Sequence, residues 1–103
     1  MEPIVWDVPS QQRVQTKRFY LEKGDDINIT ISVETEDDHE ETEVEIGMLE
    51  NDQKEQYVEK GSEFDHIFKI NKDGYYQLYM ENKSKDKVTF AGAYSVHEKD
   101  EEE

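Results

Sequence analysis

Cysteine is absent from this chain of 103 residues. Its absence rules out disulfides, thiolate metal sites and a cysteine nucleophile together. It leaves the redox compartment open, because cytosolic chains and exported chains without disulfides share it. Long apolar runs are also missing, and none approaches the ~20 residues that a bilayer span needs. The opening Met-Glu-Pro-Ile-Val-Trp has no basic or apolar leader region, so no signal peptide is expected. Bases are scarce, with 12 Lys and Arg against 27 Asp and Glu, a net charge of −15. Phosphate binding needs a concentrated basic surface, so nucleic acid is not an expected partner. An anionic membrane repels the chain for the same reason, and no membrane insertion is expected. A basic protein or a metal ion stays open, and acidity also simply promotes solubility.

Helical periodicity is the last thing lacking, since no window repeats apolar residues at helical spacing. Alternation with a period of two is everywhere instead. Ile27, Ile29, Ile31 and Val33 alternate with polar neighbours and predict the clearest half-buried strand. Val44, Ile46 and Met48 repeat the pattern. So do Phe64, His66, Phe68 and Ile70, then Tyr76, Leu78 and Met80. Val88, Phe90, Tyr94 and Val96 form a last run interrupted at Gly92, which predicts a bulge or a close backbone approach. Ile4–Trp6 reads as a short first strand, and Tyr57–Val58 as a short edge strand. Phe19 and Leu21 share one parity, while Val14 and Tyr20 have the other. Either a bulge separates them or the earlier part is not strand.

Turn chemistry falls between these runs, at Lys23–Asp26, Lys60–Ser62, Asn71–Gly74 and Asn82–Asp86. A turn roughly every ten residues is the rhythm of a sandwich. Hydrophobic residues are only 33% of the chain and charged residues 38%, a balance that raises the question of disorder. Eleven aromatic residues in alternating runs answer it, because disordered chains lack them. The expectation is one all-β domain over residues 1–97, an antiparallel two-sheet sandwich of jelly-roll type with about seven or eight strands. Residues 98–103 read as a disordered acidic tail.

Three groups of residues are candidates for function. Glu36, Asp37, Asp38, Glu40 and Glu41 lie in an acidic loop, and carboxylates are calcium ligands. The loop lacks the spacing and turn glycine of an EF-hand, so calcium competes with a plainer reading as solvated, mutually repelling charge. His39, His66 and His97 are scattered, and His66 shares the parity of a core or rim position. Tyr75, Gln77 and Tyr79 face away from the core if Tyr76, Leu78 and Met80 face into it. An exposed aromatic platform of that kind binds a sugar ring or anchors a protein. Cross-strand tyrosine pairing on a solvated face is the bland alternative. Two glycosylation sequons, at Asn28 and Asn82, matter only on a eukaryotic secretory route. No serine hydrolase elbow or zinc-protease motif occurs, so no catalysis is expected.

The stretch Phe64–Val96 reads FDHIFKINKDGYYQLYMENKSKDKVTFAGAYSV, and Phe19–Glu34 reads FYLEKGDDINITISVE. These resemble the closing hairpin and the opening strands of GOLD-like and bacterial pre-peptidase C-terminal sandwich domains. The resemblance covers about half the chain and transfers no functional residue. It implies a compact recognition or accessory module of the kind found on exported or membrane-anchored proteins.

The reading at this point is a monomeric, non-catalytic module for a protein partner, with a carbohydrate- or calcium-binding sandwich as the alternative. One prediction needs no structure. A core of roughly twenty apolar side chains is marginal, and a net charge of −15 repels itself. The melting temperature should therefore rise between low and moderate ionic strength, as screening sets in. A melt insensitive to salt would contradict it.

Overall fold

A computed structural model of the chain describes residues 2–35, 43–51, 53–60 and 63–98. The acidic-loop candidates Glu36, Asp37, Asp38, Glu40 and Glu41, with His39, lie outside the described residues, as does the tail beyond Glu98. The described elements are all strands: β1 (Glu2–Val8), β2 (Arg13–Gln15), β3 (Phe19–Leu21), β4 (Asp26–Thr35), β5 (Val44–Glu50), β6 (Gln53–Lys60), β7 (Glu63–Lys69), β8 (Gly74–Asn82) and β9 (Val88–His97).

They form two antiparallel sheets. One runs β1-β9-β4-β7, and the other runs β2-β8-β5-β6 with β3 also on β8. β2 and β3 are two halves of one bulged edge strand. Gln15 stands opposite Tyr79, whereas Phe19 stands opposite Tyr76, so four residues advance against three. That extra residue is the parity change between Val14 and Phe19, and it lets both pack on the core. With β2–β3 counted once, eight strands remain. Their order is first-eighth-third-sixth over second-seventh-fourth-fifth, which is jelly-roll connectivity.

The alternation seen in the sequence is what fills the space between the sheets. Ile27, Ile29, Ile31 and Val33 point inward from β4, opposite Met48, Leu78 and Met80 from the other sheet. Gly92 sits in register between Ile4 on β1 and Ile31 on β4. β9 runs straight through it, so the glycine marks a close approach of backbones: a Cβ there would stand 2.0 Å from the Thr30 carbonyl oxygen.

The end of the sandwich is closed by a polar knot. Asn82 is fully buried, and its Nδ2 donates to the carbonyls of Val8 (3.0 Å) and Asp86 (2.8 Å). Its Oδ1 accepts from the Ser84 amide at 2.8 Å. Ser84 Oγ in turn accepts from the Glu43 amide at 2.8 Å. Every polar atom of that amide has a partner, which is what allows it to be buried. The second sequon is thus part of the interior, and its asparagine has no surface to offer a glycan.

Candidate functional site

The outer face of the five-stranded sheet gathers most of the exposed aromatic surface. Tyr20, Tyr57 and Tyr75 are each more than half exposed. Tyr20 and Tyr75 are directly opposed on β3 and β8, with ring centroids 5.4 Å apart at 66°. That is the edge-to-face geometry aromatic pairs prefer. Tyr57 stands on β6, across Gly47 of β5, with Lys54 Nζ 5.6 Å from its ring centroid.

Tyr75, Gln77 and Tyr79 do share this outer face, as the parity of β8 requires. Only Tyr75 is exposed, however, and the expected three-residue platform is corrected on that point. Tyr79 has no accessible surface, and Gln77 has 8%. The cause lies on neighbouring strands. Arg13 on β2 and Lys54 on β6 close over the Tyr79 ring from either side, at 5.5 and 5.6 Å from its centroid. It is the charged ends that lie over the ring, the Arg13 guanidinium and the Lys54 ammonium, in cation–π contact with it. Beneath, the missing side chain of Gly47 lets the ring settle on β5. Gln77 Nε2 donates to the Thr16 carbonyl at 2.8 Å, so the amide is spent on holding the bulge.

The buried Tyr79 hydroxyl donates to Glu45, which is itself 2% exposed. Glu45 also receives Lys54 at 2.7 Å and Lys83 at 2.8 Å. One carboxylate thereby links β5, β6, β8 and the β8–β9 turn. Burial on its own would raise the Glu45 carboxyl. The hydrogen bonds from Lys54, Lys83 and Tyr79 overcome it and hold the group at about 2. Burial raises the Tyr79 hydroxyl far above its ordinary value, and the Glu45 carboxylate adds to the effect. A phenol so placed stays protonated and donates, so it is a poor nucleophile or base. The cluster is a structural clamp under the aromatic face.

β5 is the strand that sequence reasoning read least well. All seven of its residues are buried, on both faces. Glu45 and Gly47 looked like a solvated side, yet side chains from β6, β8 and the β8–β9 turn cover it, while Glu43 just before the strand stays exposed. Tyr20 and Tyr57 were legible only as strand residues. The signal that they share a face with Tyr75 is the strand pairing, which no local pattern contains.

The other candidates fall elsewhere. His66 is half-buried on β7, its ring 4.7 Å from that of Phe68 at 65°, a rim position against the core. His97 Nε2 lies 2.8 Å from Asn28 Nδ2 and 3.2 Å from Ser95 Oγ, on the outer face of the four-stranded sheet. Among the described residues, no three His, Asp or Glu side chains stand together where they could hold a metal ion. No family model matches this chain, and no curated protein matches it either.

Proposed function

We propose that this domain is a non-catalytic binding module that engages a protein partner through the outer face of its five-stranded sheet. The observation that carries the reading is the grouping of exposed Tyr20, Tyr57 and Tyr75 on that one face. Tyrosine offers a large amphipathic contact surface at little cost in side-chain entropy, and for that reason it dominates binding hot spots. Three tyrosines on hydrogen-bonded strands are preorganised, so little ordering is needed on association. Arg13 and Lys54 stand among them and add donors to the rim. The net charge of −15 steers basic partners toward the chain and repels acidic ones. The resemblance to GOLD-like and pre-peptidase C-terminal sandwiches supports an accessory role of the same kind.

The test is a comparison of affinities for a partner recovered by affinity capture and then purified. Tyr57→Ser with Tyr75→Ser should weaken binding tenfold or more, about the loss of one hot spot. Ile67→Ser, an exposed apolar residue on the opposite sheet, should leave it unchanged. Equal binding by the tyrosine variant would remove the reading. A second titration, of the ¹⁵N-labelled domain with soluble glycans and with calcium, addresses the alternative. Shifts around Tyr75 with a glycan would favour a carbohydrate-binding sandwich instead.

A further inference from the structure

The two sheets part at one edge of the sandwich, between β3 on one side and β1 with β9 on the other. The cleft there encloses about 610 Å³, within the size range of small-molecule sites. Its walls come from the core-facing sides of both sheets. Phe19 projects from β3 and Tyr94 from β9, and both pack against the core while staying partly open. Their rings are nearly parallel, 14° apart in tilt, with centroids at 6.4 Å. The centroid distance includes any sideways offset of the rings, and a third ring enters only when they stand about 7 Å apart face to face, two van der Waals contacts of roughly 3.5 Å. The walls differ in stiffness. β9 is bonded on both flanks, to β1 and β4, whereas β3 is a three-residue edge held only by β8 and preceded by a bulge. An outward movement of Phe19 with β3 therefore opens the slot and leaves the ladders of β9 intact.

The rim carries both signs of charge, on opposite sides. Glu2 pairs in register with Tyr94, and Glu98 follows β9, so the four-stranded sheet presents carboxylates. Lys17 and Arg18 form the bulge before β3, so the other sheet presents cations. The Tyr94 hydroxyl is raised by its burial and then by the Glu2 carboxylate. Glu22 and Asp25 lie at the far end, where Asp25 Oδ2 accepts the Glu22 amide at 2.9 Å.

We propose that the Phe19–Tyr94 slot binds a small planar aromatic zwitterion, of the class of a free aromatic amino acid. The ring enters between Phe19 and Tyr94. The ammonium meets Glu2, and the carboxylate meets the Lys17–Arg18 bulge. Tyr20 of the tyrosine face also lines the rim of this cleft, but the slot is formed by Phe19 and Tyr94 and does not depend on Tyr57 or Tyr75.

The experiment is a ¹⁵N–¹H NMR titration of the full chain with four probes: L-tryptophan, tryptamine, indole-3-propionate and L-leucine. Tryptophan should shift the amides of Phe19, Tyr94 and Val96 most. Tryptamine, which lacks the carboxylate, and indole-3-propionate, which lacks the ammonium, should each bind severalfold more weakly. Leucine should not bind. Phe19→Leu should lower tryptophan affinity about tenfold. Glu2 and Lys17 are exposed, so their variants keep the fold in reserve if Phe19→Leu does not. Glu2→Gln should weaken tryptophan and tryptamine but spare indole-3-propionate, and Lys17→Gln should weaken tryptophan but spare tryptamine. No shifts at the solubility limit of tryptophan would overturn the proposal. So would equal shifts from leucine, or charge variants that leave all affinities unchanged.

Discussion

Replacing Gly92 by alanine is expected to lower the melting temperature by roughly 15 °C or to prevent folding, a cost of about 3 kcal/mol or more. The new Cβ would stand 2.0 Å from the Thr30 carbonyl oxygen and 2.9 Å from Ile31 Cα. Both are backbone atoms of β4, so no rotamer change relieves the clash. Only separation of β9 from β4 would, and those strands are paired over ten residues from Asp26 to Thr35. Gly47→Ala should cost less. Its Cβ would meet the Gln56 backbone carbonyl oxygen and Tyr79 Cε2, each at 2.6 Å, a backbone approach less close than the 2.0 Å at Gly92 and a ring that turns only by giving up its hydrogen bond to Glu45. Gly74→Ala should cost least, because only the end of the Glu50 side chain stands close, at 2.8 Å. Thermal melts of the three variants give the order directly. A Gly92→Ala protein that melts within a few degrees of the parent would refute the packing described for β9.

The second large effect is expected in acid. The folded state holds the Glu45 carboxyl at about 2, below its ordinary 4.5. A depressed carboxyl stabilises the fold above its unfolded value, and that contribution fades as pH falls from about 4.5 toward 2. Lys54 and Lys83 keep 42% and 34% of their side-chain surface in water, which screens the pairs. The contribution at neutral pH is then on the order of 2 kcal/mol. The overall charge adds a separate effect, since protonating a chain with 27 acids relieves its repulsion only down to the isoelectric point near 4.4, below which 12 Lys and Arg leave it positive. A Glu45→Gln variant separates the two effects. It should be less stable than the parent at pH 6, by about 2 kcal/mol in urea unfolding, and the gap should close by pH 2. A gap that persists undiminished to pH 2, or none at pH 6, would mean that the clamp contributes nothing.

Much of the architecture is legible in local sequence because one face of most strands is wet. β4 alternates isoleucines with polar residues, and its strand limits, its inward face and its place in a sandwich follow from that alone. The parity change from Val14 to Phe19 leaves two readings, a bulge or a segment that is not strand, and the pairing of both halves with β8 decides for the bulge. Gly92 in its run signals a bulge or a close approach, and the unbroken register of β9 selects the close approach.

The candidate site was legible in its direction and not in its exposure. Parity puts Tyr75, Gln77 and Tyr79 on the outer face, and there they are. Whether a residue on that face meets water depends on what stands on the strands to either side. Tyr79 is covered by Arg13 and Lys54, remote from it in sequence, while Tyr75 has Tyr20 beside it and stays open. Glu45 looks like any solvated acid of an alternating strand until pairing brings Lys54, Lys83 and Tyr79 to it.

The sequence by itself therefore determined the all-β class, the strand faces, the turns and the acidic field, because each depends on a residue and its near neighbours. Only the tertiary structure decided which tyrosines are exposed, which carboxylate is clamped, and that Phe19 and Tyr94 face each other across an open edge. Those are properties of strand order and register, set by contacts between residues far apart in the chain.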